Sequence, residues 1–128
     1  MNKIGIIGAG SWGTSLAILL ANKGLPVVLW SKVESEIELL KTHREHIHRL
    51  PGVKLPDLIE VVTDLEYACT NQDLLVLAVA SPYVRTTARE MSPYIKEKQV
   101  IVNVAKGIEE STLMTMTEII EEEIPAAD

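Results

Sequence analysis

Three glycines near the start of the chain are spaced for chemistry. Gly8-Ala9-Gly10-Ser11-Trp12-Gly13 follows directly on the apolar run Ile4–Ile7, and Thr14 to Lys23 then continues at helical spacing with Leu16, Ala17, Leu19 and Leu20 on one side. Gly24 stops that helix, and Pro26 to Trp30 forms a second apolar run. Strand, glycine turn, helix and strand in that order make a pyrophosphate cradle, because a helix N-terminus offers free N–H groups to an anion. Gly8 permits the tight turn, Gly10 lets phosphates approach the backbone, and Gly13 lets helix and strand pack closely. Ser11 and Trp12 are the side chains expected to face a dinucleotide, with the Trp12 indole either covering its phosphates or ribose or packed on a neighbouring loop.

A second candidate lies after the second apolar run. Dinucleotide sites strict for NAD usually carry Asp or Glu there to take the ribose hydroxyls. This chain reads Trp30-Ser31-Lys32-Val33 and has no acid until Glu34. A hydroxyl and an ammonium would welcome a 2′-phosphate that a carboxylate would repel, so the cofactor is expected to be NADP or NAD. Ser31 also reads as the first residue of an S-x-x-E capping box. Lys106, after the apolar run Val100–Val104, could hold a substrate phosphate or stabilise a carbonyl oxygen gaining negative charge. Its plain alternative is an ordinary Lys-Gly turn. His43, His46 and His48 form an H-x-x-H-x-H cluster without the Cys or Asp neighbours of a tetrahedral metal set, and read as surface histidines. Cys69 reads as a small core residue.

The remaining elements must bring these stretches together. The S-x-x-E at 31–34 predicts a helix to about Lys41, and the prolines and glycine between Leu50 and Pro56 predict the longest loop. Ile59–Thr63 reads as a strand, Asp64 as the cap of a brief helix through Cys69, and Leu74–Val79 as a strand buried on both faces. Ser81-Pro82 predicts a helix start with Val84, Ala88 and Met91 on the apolar face. Val100–Val104 reads as another buried strand, Ser111 or Thr112 as the opening of a last helix, and Pro125 as its end. Apolar runs alternating with amphipathic helices give an α/β class, a doubly wound parallel sheet of Rossmann type with five strands. Ligands of such sheets bind at the strands' carboxyl ends, so residues 8–13, 31–33, 80–82 and 105–107 should converge there.

Composition narrows the function. The 128 residues suit one domain, 47% are apolar and 23% charged. No apolar run reaches membrane-span length, the N-terminus lacks a signal-peptide pattern, and one cysteine cannot form an internal disulfide, so a cytoplasmic location is expected. The net charge is −6, yet the seven acids from Glu109 onward face no Lys or Arg, leaving eleven acids against twelve bases in residues 1–108. No basic face for nucleic acid is present in that pattern. Glu121–Glu123 reads as a solvated helix face.

Several motifs together resemble the bacterial-type NAD(P)-dependent glycerol-3-phosphate dehydrogenases: Gly8 to Thr14, Val28-Leu29-Trp30, Leu50-Pro51-Gly52, Val79-Ala80-Ser81 and Lys106-Gly107-Ile108-Glu109. The resemblance runs from about Ile4 to Glu109. It implies an oxidoreductase that interconverts dihydroxyacetone phosphate and sn-glycerol 3-phosphate, a precursor of phospholipids. It further implies that Ser11, Trp12, Lys32, Val33, Arg49 and Ser81 contact the cofactor and that Lys106 contacts both cofactor and substrate. Arg49 stands where the family often has an aromatic residue, and Ala80 where it usually has proline. The family continues into a helical substrate domain carrying the proton-transferring lysine. Residues 1–128 are therefore expected to be a dinucleotide-binding fragment, incomplete on its C-terminal side, with no general acid or base of its own and a homodimeric full-length form. Rival readings are a stand-alone nucleotide-sensing domain, like those attached to potassium transporters, and the cofactor domain of another dehydrogenase such as ketopantoate reductase or the 6-phosphogluconate dehydrogenase type.

Overall fold

The computed structural model describes residues 3–45 and 54–127. Five parallel strands, β1 (Ile4–Ile7), β2 (Val27–Trp30), β3 (Ile59–Val62), β4 (Leu74–Leu77) and β5 (Ile101–Asn103), form one sheet in the order β3-β2-β1-β4-β5. The chain winds outward from β1 to β3, then crosses back to β4 on the other side of β1. That reversal between β1 and β4 is where such sheets open a ligand crevice.

Strand alternation sorts the core into two layers. Ile4, Ile6, Val27, Leu29 and Val76 face α1 (Ser11–Asn22) and α2 (Glu34–His43), meeting Ala17, Ala21, Ile37 and Leu40. Ile7, Trp30, Leu75 and Leu77 face the other side. They pack with Ala68 and Cys69 of α3 (Leu65–Cys69), Val84, Ala88 and Met91 of α4 (Val84–Met91), and Met116, Ile119 and Ile120 of α5 (Met116–Glu123). Each fully buried Leu, Ile or Met contributes roughly 1.5–3 kcal/mol. Buried Trp30 satisfies its indole by donating to the Thr63 carbonyl at 2.9 Å, and burial pushes the Cys69 thiol up to about 12.

Several local expectations are corrected. α1 begins at Ser11, directly after Gly10, rather than at Thr14. The capping box at 31–34 does not form: the Ser31 N–H still donates to Val62 O at 3.3 Å, continuing the sheet, and its Oγ accepts the Val33 N–H at 3.1 Å. Val33 precedes α2 instead, without a side-chain cap. Ser81 is the first residue of a short 3-10 turn leading into α4, not a cap. β5 is an edge strand with Val100, Val102 and Val104 exposed, so it is not a strand buried on both faces. The last helix opens at Thr115, which forms a reciprocal capping box with Glu118. The Asp64 cap is present, its carboxylate accepting the Tyr67 N–H at 3.2 Å.

Candidate functional site

The pairing register puts the carboxyl ends of four strands level. Ile7 lies opposite Trp30 and Leu77, and Leu77 opposite Asn103. Hydrogen bonds just past the strands keep the exits together: Gly8 N to Trp30 O at 2.8 Å, Ala78 N to Ile7 O at 2.8 Å and Val104 N to Leu77 O at 3.1 Å. Residues 8–13, 31–33, 78–81 and 104–107 thus leave the same edge of the sheet.

Within the glycine turn each glycine meets a different environment. Gly8 has φ +124°, and a methyl group there would fall 2.7 Å from the Ala78 carbonyl. A methyl group on Gly13 would collide with the Gly8 carbonyl oxygen, so the first turn of α1 can lie against the strand exit only without one. One on Gly10 would meet nothing within 4 Å. Gly10 precedes α1 and supplies no side-chain cap, and the first-turn N–H groups of a helix have no intrahelical partner. Open space, uncapped donors and the positive helix end together fit a diphosphate. Buried Thr14 ties the turn from within, its hydroxyl donating to Ala9 O at 3.1 Å. Trp12 is 80% exposed, so its indole is not packed on a neighbouring loop.

At the second exit Ser31 is buried while Lys32 and Val33 are exposed. The Lys32 ammonium lies 3.5 Å from the Glu90 carboxylate of α4. Ser81 is half-buried at the start of its 3-10 turn. Arg49, His46, His48 and the Leu50-Pro51-Gly52 stretch lie outside the described residues; His43 is the last residue of α2.

Lys106 is exposed on the loop from β5 to α5, followed by Gly107 at φ +114°. Asn103 pins the start of that loop, its side chain accepting the Ala105 N–H at 2.9 Å and donating to the Ala105 carbonyl at 3.0 Å. Further on, Glu109 N donates to Met114 O at 2.8 Å, closing a small hairpin. The Glu109 carboxylate takes two bonds from Arg85 of α4, from Nε at 2.8 Å and Nη2 at 2.9 Å, and one from the Thr112 hydroxyl at 2.6 Å. Those bonds, Arg85 foremost, hold the Glu109 carboxyl down at about 2.

The sequence profile described as NAD-dependent glycerol-3-phosphate dehydrogenase N-terminus matches residues 3–128. The chain belongs to this family. It is 60% identical over 128 residues to the glycerol-3-phosphate dehydrogenase [NAD(P)+] of Agathobacter rectalis, covering 100% of this chain and 38% of that protein. It is 48% identical to the enzyme of the same name from Fusobacterium nucleatum, covering 97% of this chain and 37% of that protein. The crystal structure of glycerol-3-phosphate dehydrogenase from Coxiella burnetii superposes with a TM-score of 0.92 at 28% identity, over 98% of this chain and 38% of that one. The chain therefore spans a little over a third of the length of the curated relatives it matches. The rival readings are not favoured by these likenesses.

Sequence reading missed one group within this family member. Arg85 and Arg89 of α4 reach Glu122 and Glu123 of α5: Arg85 Nη1 to Glu123 at 2.6 Å and to Glu122 at 3.1 Å, Arg89 Nη2 to Glu123 at 3.1 Å. Two of the three acids in the Glu121–Glu123 run are thus engaged in ion pairs, a correction to their reading as a solvated face. Their partners stand 34 to 38 positions away, which no local spacing rule reaches.

Proposed function

We propose that this chain is the cofactor-binding part of an NAD(P)H-dependent dehydrogenase that interconverts dihydroxyacetone phosphate and sn-glycerol 3-phosphate. The observation that carries the reading is the uncapped glycine turn at the β1–β4 reversal, level with the exits bearing Lys32 and Lys106, in a chain 60% identical to a glycerol-3-phosphate dehydrogenase. A bound nicotinamide supplies or accepts the hydride. Gly8, Gly10 and Gly13 with the first-turn amides of α1 hold the diphosphate, and the exposed Trp12 beside Ser11 covers it. Ser31 and Lys32 receive the ribose and its 2′-phosphate when one is present, with Val33, Arg49 and Ser81 completing the contacts. Lys106 faces the substrate, where its ammonium stabilises negative charge on the ketone oxygen. The proton-transferring lysine and the helical substrate domain lie outside residues 1–128, and the full-length enzyme is a cytoplasmic homodimer.

Titrating this chain into NADH and following fluorescence should show weak binding, and adding dihydroxyacetone phosphate should cause no oxidation. The full-length gene product should oxidise NADH or NADPH with that substrate. NADH oxidation by residues 1–128 alone would show the catalytic groups misplaced. Ser31→Asp keeps an acceptor for the Val33 amide but adds charge beside the 2′-phosphate. It should weaken NADPH more than NADH by about 1–3 kcal/mol in the full-length enzyme; equal effects would remove Ser31 from cofactor choice.

A further inference from the structure

Lys106 follows Ala105, which Asn103 pins, but the lysine's own side chain and the residue after it are loosely held. Its loop leaves an edge strand of three residues, the next residue is a glycine in a left-handed conformation with open space around it, and the side chain is exposed. Three residues on, however, the Glu109 carboxylate is gripped at both oxygens by one guanidinium. Arg85 is rooted beside Val84, which is wholly buried, in the first turn of α4. Its side chain is only 19% exposed.

All the N–H groups of this guanidinium are accounted for. Nε and one Nη2 hydrogen go to Glu109, the Nη1 pair to Glu122 and Glu123, and Nη2 also lies 3.5 Å from Met114 Sδ. The fork therefore joins α4, α5 and the loop between β5 and α5 at one point. A bidentate Arg–carboxylate pair fixes direction as well as distance, and a lysine ammonium at the same position could not reproduce it.

We propose that Arg85, acting through Glu109, is the positioning residue for Lys106: it fixes the loop so that the ammonium points into the crevice. The inference rests on the role given to Lys106 above. Arg85 itself spends its N–H groups on Glu109, Glu122, Glu123 and Met114, which leaves none for a cofactor or substrate.

A double-mutant cycle in the full-length enzyme tests the kinetic half. Arg85→Ala and Glu109→Gln should each lower kcat for dihydroxyacetone phosphate about tenfold or more, with the KM for the dinucleotide changed by less than about twofold. In a Lys106→Ala background the same changes should lower kcat by less than about twofold, because the group they position is gone. Arg85→Lys should recover only part of the rate. Losses that simply multiply between Arg85→Ala and Lys106→Ala would overturn the proposal.

Trypsin tests the structural half without any turnover. Lys106 is the only Lys or Arg after Lys98 in residues 1–128. In the folded full-length protein, well below its Tm, Arg85→Ala and the milder Glu109→Gln should speed cleavage after Lys106 about tenfold or more, while cleavage after Lys98 stays at the wild-type rate. Unchanged cleavage after Lys106, or equal acceleration at both sites, would sink the clamp. If Lys106→Ala alone left kcat unchanged, the role given to Lys106 would fail, and the cleavage rates would still decide whether Arg85 orders the loop.

Discussion

The glycine turn between β1 and α1 and the Lys106 loop between β5 and α5 leave the same edge of the sheet, yet they are held by opposite means. The first is fixed by absence: Gly8 and Gly13 allow backbone to meet backbone where a methyl group would collide, and Thr14 binds Ala9 from inside. Nothing charged is needed. The second hangs from a short edge strand and is fixed by side-chain charge reaching in from α4. Steric fit makes a cradle whose shape does not depend on pH or salt. An electrostatic clamp on Glu109 holds the loop three residues from Lys106 and leaves that lysine exposed. The difference teaches that one crevice can contain a part set by packing and a part set by ion pairs.

The largest effect should come from disturbing the packed side. Gly13→Ala puts a methyl group into the Gly8 carbonyl, and the cost should be about 3 kcal/mol or more of folding stability, read as a fall in Tm. A variant as stable as the wild type would mean that the turn yields, and the contrast with the charged loop would dissolve. On the other side, Lys106→Ala in the full-length enzyme should lower kcat about a hundredfold while leaving Tm almost unmoved, since the side chain is exposed. Lys106→Arg should recover part of that rate. A raised KM with unchanged kcat would turn Lys106 into a phosphate clamp serving ground and transition states alike.

Gly10→Ala sharpens the steric half. The same chemical change three residues before Gly13 enters open space, so stability should shift by less than about 0.5 kcal/mol. Dinucleotide affinity should nevertheless fall by about 1 kcal/mol or more, because the methyl group occupies the diphosphate's approach. Equal stability losses for the two variants would erase the distinction between packing glycine and approach glycine.

Acid should separate the two regions most gently. Arg85 and Thr112 lower the Glu109 carboxyl from 4.5 to about 2 in the fold. A depressed acid stabilises fully above its unfolded value, so this contribution is intact above about pH 4.5 and is lost as pH falls through about 2. Following the Glu109 carboxyl carbon by NMR should give a midpoint near that lower value, with loop amides such as that of Leu113 moving in step and those of α1 unaffected. A midpoint at the ordinary glutamate value would show the clamp open in solution.

What the sequence determined by itself is whatever neighbours along the chain decide. Glycine spacing after an apolar run, alternating and helical apolar periods, and the Asp64 cap are all local, and they yielded the parallel α/β sheet and its crevice. The T-x-x-E of Thr115 and Glu118 caps the last helix although its opening was expected at Ser111 or Thr112, while the same pattern at Ser31 and Glu34 fails, because the Ser31 amide is claimed by Val62 across the sheet. Only the tertiary structure could decide that, since a pairing partner 31 positions away leaves no mark on local spacing. It alone also made β5 an edge strand, set Lys32 beside Glu90, and brought Arg85 against Glu109 and Glu123. Ion pairs between helices depend on where a fold sets two surfaces down, and a charge in a sequence names no partner until that has happened.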